Sequence, residues 1–276
     1  GPRGINRMML LAFLVLLAFF SVGTIADFYT DFLWFGGLGF HDLFVKRLGV
    51  RVAVFVIAFA VAAALLLGNW LLARNRALRA NGASEALAHP RARTLIIAVA
   101  LIVAALFALT ASGQWEALLL YLNAEPFGMA DPIFGRDVAF YIFNLPVYRF
   151  VQSWLLLLLI IALIGLAPIY ATTTLGDLQR GRWRPLDSAL LRAHAAALGA
   201  FIMLLWAVGY YFDIAGLVYS SRSVAYGAGY TDMSVVIQVL RLQMILAGLT
   251  GLALLYNVFR PSLRLPLITG GLWVLV

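Results

Sequence analysis

Hydrophobic positions along this chain fall in long runs, and the polar ones are gathered between them. A helix that crosses a bilayer needs about 20 mostly apolar residues, because roughly 30 Å of hydrocarbon is crossed at 1.5 Å per residue. Six runs reach or approach that length: Met8–Ile25, Val50–Ala73, Thr94–Thr110, Val151–Ala171, Ala189–Phe212 and Met233–Tyr256. A seventh, Leu263–Val276, follows Arg260-Pro261 and is still apolar at the last residue. At roughly 21 Å it is too short to cross, so it reads as an incomplete span of a longer protein. Arg3 and Arg7 before the first run give it the look of a signal peptide. The run is long for such a segment, however, and Thr24-Ile25-Ala26-Asp27 is an indifferent cleavage site, so it reads as a span.

Composition agrees with the pattern. The chain has 276 residues, of which 64% are hydrophobic and 12% charged, with no Cys. An ordinary soluble domain is about 45–50% apolar and about 25% charged, so the bilayer is the expected solvent. A soluble domain, a disulfide scaffold and a Cys-ligated metal or iron–sulfur site are excluded on these figures. Cationic loops stay cytoplasmic. Arg3 and Arg7, the loop with Arg74, Arg76, Arg79, Arg91 and Arg93, the loop with Arg180, Arg182 and Arg184, and the pair Arg260 and Arg264 alternate with acid-rich segments. Those segments hold Asp27, Asp31, Asp42, Glu116, Glu125, Asp131, Asp137, Asp213 and Asp232. The pattern predicts a cytoplasmic amino terminus and outer first, third and fifth loops. The net charge of +8 then needs no nucleic acid. Orientation and attraction to anionic lipid headgroups account for it.

The cytoplasmic loops read as short, solvated anchors: Asn81-Gly82 breaks one, and Trp183 and Pro185 approach the fifth helix with Asp187 or Ser188 as its N-cap. The outer loops are different. Residues 27–49 carry Phe28, Tyr29, Phe32, Trp34, Phe35, Phe40 and Phe44 around Gly36, Gly37 and Gly39, which predicts backbone lying at the headgroup level. The third loop, 111–150, is long enough to need structure of its own. Its middle combines Glu125-Pro126-Phe127-Gly128 with Asp131-Pro132-Ile133-Phe134-Gly135-Arg136-Asp137. After it, Phe140, Tyr141, Phe143, Tyr148 and Phe150 predict a short interfacial helix broken at Pro146. The fifth loop holds Ser220, Ser221, Arg222, Tyr226, Gly227, Gly229, Tyr230 and Asp232.

Those two phrases carry a resemblance. Pro126-Phe127-Gly128 with Asp131-Pro132-Ile133-Phe134-Gly135-Arg136-Asp137-Val138-Ala139-Phe140-Tyr141, and Tyr219-Ser220-Ser221-Arg222 with Tyr226-Gly227-Ala228-Gly229-Tyr230-Thr231-Asp232, closely resemble uncharacterised protein family 0182. Asp31-Phe32-Leu33-Trp34-Phe35 resembles that family's first outer loop. The resemblance implies a large bacterial cell-membrane protein with about seven amino-terminal spans and a big extracytoplasmic region, of which this chain is the membrane half. It implies no agreed activity and no catalytic residue.

Residue chemistry adds little. His41, His89 and His194 are the only histidines, expected on opposite sides of the membrane and solvated, so paired haem ligation is not expected. No spacing suggests zinc, and no cofactor is expected. The apolar runs contain no Asp or Glu, which weakens an ion-coupled transporter. Gly165 and Pro168 are placed to kink the fourth span near one end. Arg241 is the one ionisable residue in the middle of a run, and Thr231, Ser234, Gln238 and Arg241 share one helix face. An intramembrane guanidinium costs at least ~2.5–3.5 kcal/mol, so that face is expected to meet other protein or a polar cavity, with Asp213, Asp232 or a lipid phosphate as partner. Asp131, Arg136 and Asp137 read either as an acid–base set or, more commonly, as salt bridges holding a turn. Gly227 and Gly229 read as close-packing positions under Tyr226 and Tyr230. Gly248 and Gly251 read as close helix contacts.

The sequence therefore predicts an all-α polytopic bundle of seven spans whose outer loops form a platform for an extracytoplasmic region or for other membrane subunits. The alternatives are a conduit for lipid or an envelope precursor along Ser234, Gln238 and Arg241, and, third, an envelope-modifying enzyme using Asp131, Arg136 and Asp137.

Overall fold

The computed structural model describes residues 15, 22–23, 25–79, 85–171, 189–221, 227–260, 262 and 264–276. Contacts divide the chain into two compact units, Gly1–Ala53 and Val54–Val276. Among the described residues the secondary structure is helical apart from one isolated bridge, Ala130 to Asp137.

The main helices are α1 (His41–Arg79), α2 (Pro90–Ser112), α3 (Trp115–Leu122), α4 (Leu145–Ile164), α5 (Ala189–Gly216), α6 (Ile237–Phe259) and α7 (Arg264–Leu275). Among the described residues, five helical stretches are long and apolar enough to cross a membrane: His41–Arg79, Pro90–Ser112, Phe140–Ala171, Arg192–Tyr219 and Asp232–Phe259. Five is fewer than the seven expected. The run Met8–Ile25 falls almost wholly outside the described residues, as do Asn81-Gly82 and the segment with Trp183, Pro185, Asp187 and Ser188. The run at the carboxyl end is a 12-residue helix. Helix suits these segments because, without water, it alone satisfies every backbone N–H and C=O within a single stretch.

The first unit corrects the expected loop over 27–49. Residues 25–37 are helical, α1 is already under way at His41, and only 38–40 turn, with Gly39 at φ 77°. Aromatic side chains do this: Phe28 and Phe32 meet Phe44 edge-on at 5.4 and 5.7 Å, and Arg47 pairs with Asp31 at 3.2 Å. Their three- and four-residue spacing gives each arm of the hairpin one contact face. His41 lies edge-on to Phe32.

In the second unit, indole N–H groups tie the spans together. Trp70 donates to the Ala162 carbonyl and Trp154 to the Phe107 carbonyl, each at 3.0 Å. Gln152 donates to the Leu205 carbonyl at 3.0 Å. Such bonds give a polar tip an interhelical partner where water is absent. At Gly165 helix α4 turns before 166–171 resume, and the Trp70 indole fills the space a side chain there would need. α6 lies along α5 because Gly251 lets the Ala200 carbonyl come within 3.1 Å of where a Cβ would stand. Gly248 makes no such contact.

Two further expectations are revised. The helix is not broken at Pro146: the chain is helical from Phe140 to Ala171, and Phe140–Asn144 is wound as a π-turn in which the Leu145 N–H reaches the Phe140 carbonyl. That wider turn takes up proline's missing N–H and its clash with the preceding turn. His89 is the N-cap of α2 and accepts from the Arg91 N–H. His194 is not solvated. It is buried, with the Tyr170 hydroxyl at 3.3 Å from Nδ1 and the Asn69 amide at 3.2 Å from Nε2.

Candidate functional site

The most elaborately built region is the end of the bundle that holds 123–139, the start of the Phe140–Ala171 helix and the end of α5. The turn starts from sequence: Pro132 fixes φ just after Asp131, and Gly135 takes φ 66°, a left-handed conformation that favours glycine. The Asp131 N–H donates to the Arg136 carbonyl and the Gly135 N–H to the Asp131 carbonyl, closing a tight hairpin. The Asp131 carboxylate, almost wholly buried, accepts from the N–H groups of Ile133 at 2.9 Å and Phe134 at 2.8 Å and from the Tyr141 hydroxyl at 2.8 Å. Asp137 accepts from the N–H groups of Phe127, Gly128 and Ala139. Gly128 again needs a positive φ, 71°, to present its N–H.

Salt bridges therefore do not hold this turn. Backbone N–H groups satisfy the carboxylates, and Arg136 donates instead to the Tyr211 hydroxyl on α5 while lying over the Phe140 ring at 4.3 Å. Nor do the three residues converge as an acid–base set would. Asp131 is turned inward to Tyr141, Arg136 to α5, and Asp137 borders an open cleft with Tyr121, Glu125 and Asn144.

Burial alone would raise the Asp131 pKa, but its hydrogen bonds from Ile133, Tyr141 and Phe134 outweigh that and hold it below the usual carboxylate range. The Ala139 and Phe127 N–H groups lower the Asp137 pKa in the same direction. A carboxyl with a lower pKa in the folded state stabilises the fold above its unfolded pKa, and that contribution is lost as pH falls through the folded value. The docked loop is thus expected to be indifferent to pH between 7 and 5 and to loosen below about pH 4. Amide exchange of Phe127, Gly128, Ile133 and Phe134 checks this: unchanged protection at pH 3 would contradict it.

Long-range contacts dock the hairpin on α5. Tyr141, Leu145 and Ala215 are buried together, with Phe134, Phe140, Phe212 and Val218 around them. Arg149 donates to the Phe212 carbonyl at 2.8 Å and to Asp213 at 3.1 Å. The sequence does not reveal what Tyr141, Arg149 and Tyr211 bind, because their partners lie 10 to 75 positions away. Only the aromatic density around Tyr141 hinted at a role.

The fifth loop borders the same end. Arg222 and Tyr226 lie outside the described residues. Ser220 accepts through its carbonyl from the Gly227 N–H at 2.8 Å, Gly227 adopts φ 118°, and buried Asp232 accepts from the Gly229 N–H. Ser221 is exposed. Tyr230 is 88% exposed, so no backbone packs beneath it. These glycines serve turn geometry and a carboxylate contact.

The Ser234, Gln238 and Arg241 face also departs from expectation. All three are exposed, and Ser234 donates back to the Tyr230 carbonyl. Asp213 is taken by Arg149 and Asp232 by Gly229. A different face of α6, with Ala247 and Gly251, approaches α5 because small residues allow the closer contact, and the polar stripe is left outside that contact. Among the described residues no three His, Asp or Glu side chains gather as metal ligands.

Comparison with known proteins agrees with the two phrases that build this end. The family described as Uncharacterised protein family (UPF0182) matches residues 8–276. The chain is similar to a UPF0182 protein of Rhodococcus opacus, 34% identical over 283 residues, 98% of this chain and 28% of the relative. A UPF0182 protein of Rhodococcus erythropolis is 30% identical, over 98% of this chain and 29% of the relative. Another, of Bradyrhizobium diazoefficiens, is 30% identical, over 96% of this chain and 31% of the relative. The chain thus spans under a third of the length of these relatives. No solved structure matches.

Proposed function

The chain belongs to the uncharacterised protein family UPF0182, and from that premise we propose that it is a multi-pass domain of the bacterial cell membrane serving as anchor and platform for an extracytoplasmic region or partner subunits. The arginine-rich end faces the cytoplasm in this reading, and the end with Asp131 and Asp137 faces outward. What carries it is the use of charge at that end. Asp131, Asp137, Arg136 and Arg149 hold backbone and neighbouring helices in place, which supports a rigid surface better than a reacting centre.

The test uses the intact protein in its native membrane. Asp137→Ala frees the Phe127 and Gly128 N–H groups and loosens the surface without touching a span. A platform predicts at least a severalfold faster proteolysis of the extracytoplasmic region, or loss of copurifying subunits, with the spans still folded. Unchanged proteolysis and an unchanged subunit set would sink the reading.

A second reading, a conduit for lipid or an envelope precursor, is favoured by one observation: Arg241 is exposed in the middle of a span. Arg241→Met leaving lipid movement in reconstituted vesicles unchanged would remove it.

A further inference from the structure

Two cavities are lined by successive turns of α3 and of the Phe140–Ala171 helix, without a residue in common. One is a groove of about 300 Å³ between Val54 and Ala58 on α1, Ala117 and Leu118 on α3, and Val147 and Val151 on α4. Its lining is apolar except for Gln114. The volume is at the small end of ligand-sized cavities. The other is an open cleft of about 500 Å³ that includes Tyr121, Glu125, Asp137, Phe140 and Asn144. Leu118 to Tyr121 on α3, and Val147 back to Asn144 and Phe140 at the head of α4, are steps of three or four residues. Each helix therefore carries its apolar and polar portions on one continuous face. Tyr121, which lines the cleft, has its hydroxyl 3.4 Å from that of Tyr148, one residue after Val147 of the groove.

That arrangement matches a single amphiphile: a chain in the groove, a headgroup in the cleft. Charge selects the headgroup. The cleft presents two carboxylates, Glu125 and Asp137, and no Lys or Arg lines it. The backbone donors on Asp137 keep it anionic at neutral pH, and Glu125 is in no ion pair among the described residues. An anionic headgroup would be repelled there, whereas a primary ammonium supplies both the positive charge and N–H donors for two carboxylates and the Asn144 amide oxygen. We propose that this slot binds a lipid with a primary-ammonium headgroup, of the phosphatidylethanolamine type, with one acyl chain in the Val54–Val151 groove and its ammonium between Glu125 and Asp137. The proposal rests on the helices crossing a bilayer and not on the platform reading, and its test reads lipid retention alone.

The experiment is native mass spectrometry of the intact protein in detergent, titrated with dioleoyl phosphatidylethanolamine, dioleoyl phosphatidylcholine or dioleoyl phosphatidylglycerol. The ethanolamine lipid is expected to be retained about fivefold more strongly than the other two. Glu125→Gln, at an exposed position remote from the packed spans, should erase most of that preference. Ala117→Trp should fill the groove and abolish specific retention of the ethanolamine lipid, while Leu106→Trp, on an exposed face outside the groove, should not. Should Ala117→Trp fail to fold, the Glu125 variant still decides. Equal retention of the three lipids, or a preference that Glu125→Gln leaves intact, would overturn the proposal.

Discussion

Asp131→Ala is expected to destabilise the protein by about 3 kcal/mol, a large change for one residue in a loop. The substitution removes one side chain and strands three donors, the N–H groups of Ile133 and Phe134 and the buried Tyr141 hydroxyl. Each hydrogen bond to a charged acceptor contributes about 1–3 kcal/mol, and an orphaned buried donor retains its desolvation cost. Asp131→Asn should lose roughly half as much, because an amide offers one acceptor oxygen where the carboxylate offers two. Tyr141→Phe, combined with the Ala variant, gives a coupling of about 1–2 kcal/mol if the two side chains act as a unit. Thermal unfolding in detergent, followed by near-ultraviolet circular dichroism, reads all of these. A loss under about 1 kcal/mol for Asp131→Ala would mean that the hairpin is held by its apolar docking on α5 and not by this carboxylate.

Gly165→Val is expected to cost a similar amount, about 3 kcal/mol, at the other end of α4. The Trp70 ring occupies the space a Cβ at 165 would take, and Trp70 is itself buried among Ala73, Ala162 and Leu166. A valine there must displace the indole from its position and with it the hydrogen bond to the Ala162 carbonyl. Overpacking costs about 1–3 kcal/mol and a lost hydrogen bond about 1 kcal/mol. Trp70→Ala in the same molecule should relieve most of the clash, so the double variant should be more stable than additivity predicts. Strict additivity would place the cost of Gly165→Val in the backbone turn instead.

Particular residues show how far the sequence could be read. The glycines and prolines of 126–137 announced a defined turn, and the turn is there, with Gly128 and Gly135 at positive φ. Its electrostatics differ from what the sequence predicts, because the spacing of Asp131, Arg136 and Asp137 suggests pairing among themselves. Nothing in the spacing reveals that backbone N–H groups compete better for both carboxylates and that Tyr211 claims the guanidinium. Pro146 predicts a break because proline ends an α-turn, yet a π-turn ahead of it lets the helix pass. The aromatics of the first loop predict backbone lying at the headgroup level, and their spacing also fits two helical faces meeting at Phe44.

What the sequence determined by itself is the helical, apolar character of the chain and the places where charge collects. Both follow from local composition, since a run of 20 apolar residues satisfies its own backbone whatever it packs against. Which face of each helix turns inward was decided only in the tertiary structure. Gly251 brings α6 against α5 and leaves Arg241 exposed, and Trp70 and Trp154 fix α4 against α1 and α2 through carbonyls that any residue would have supplied. Helices in a bilayer meet through close packing of small residues and a few hydrogen bonds and not through burial of an apolar stripe, so hydrophobic pattern carries little information about their partners.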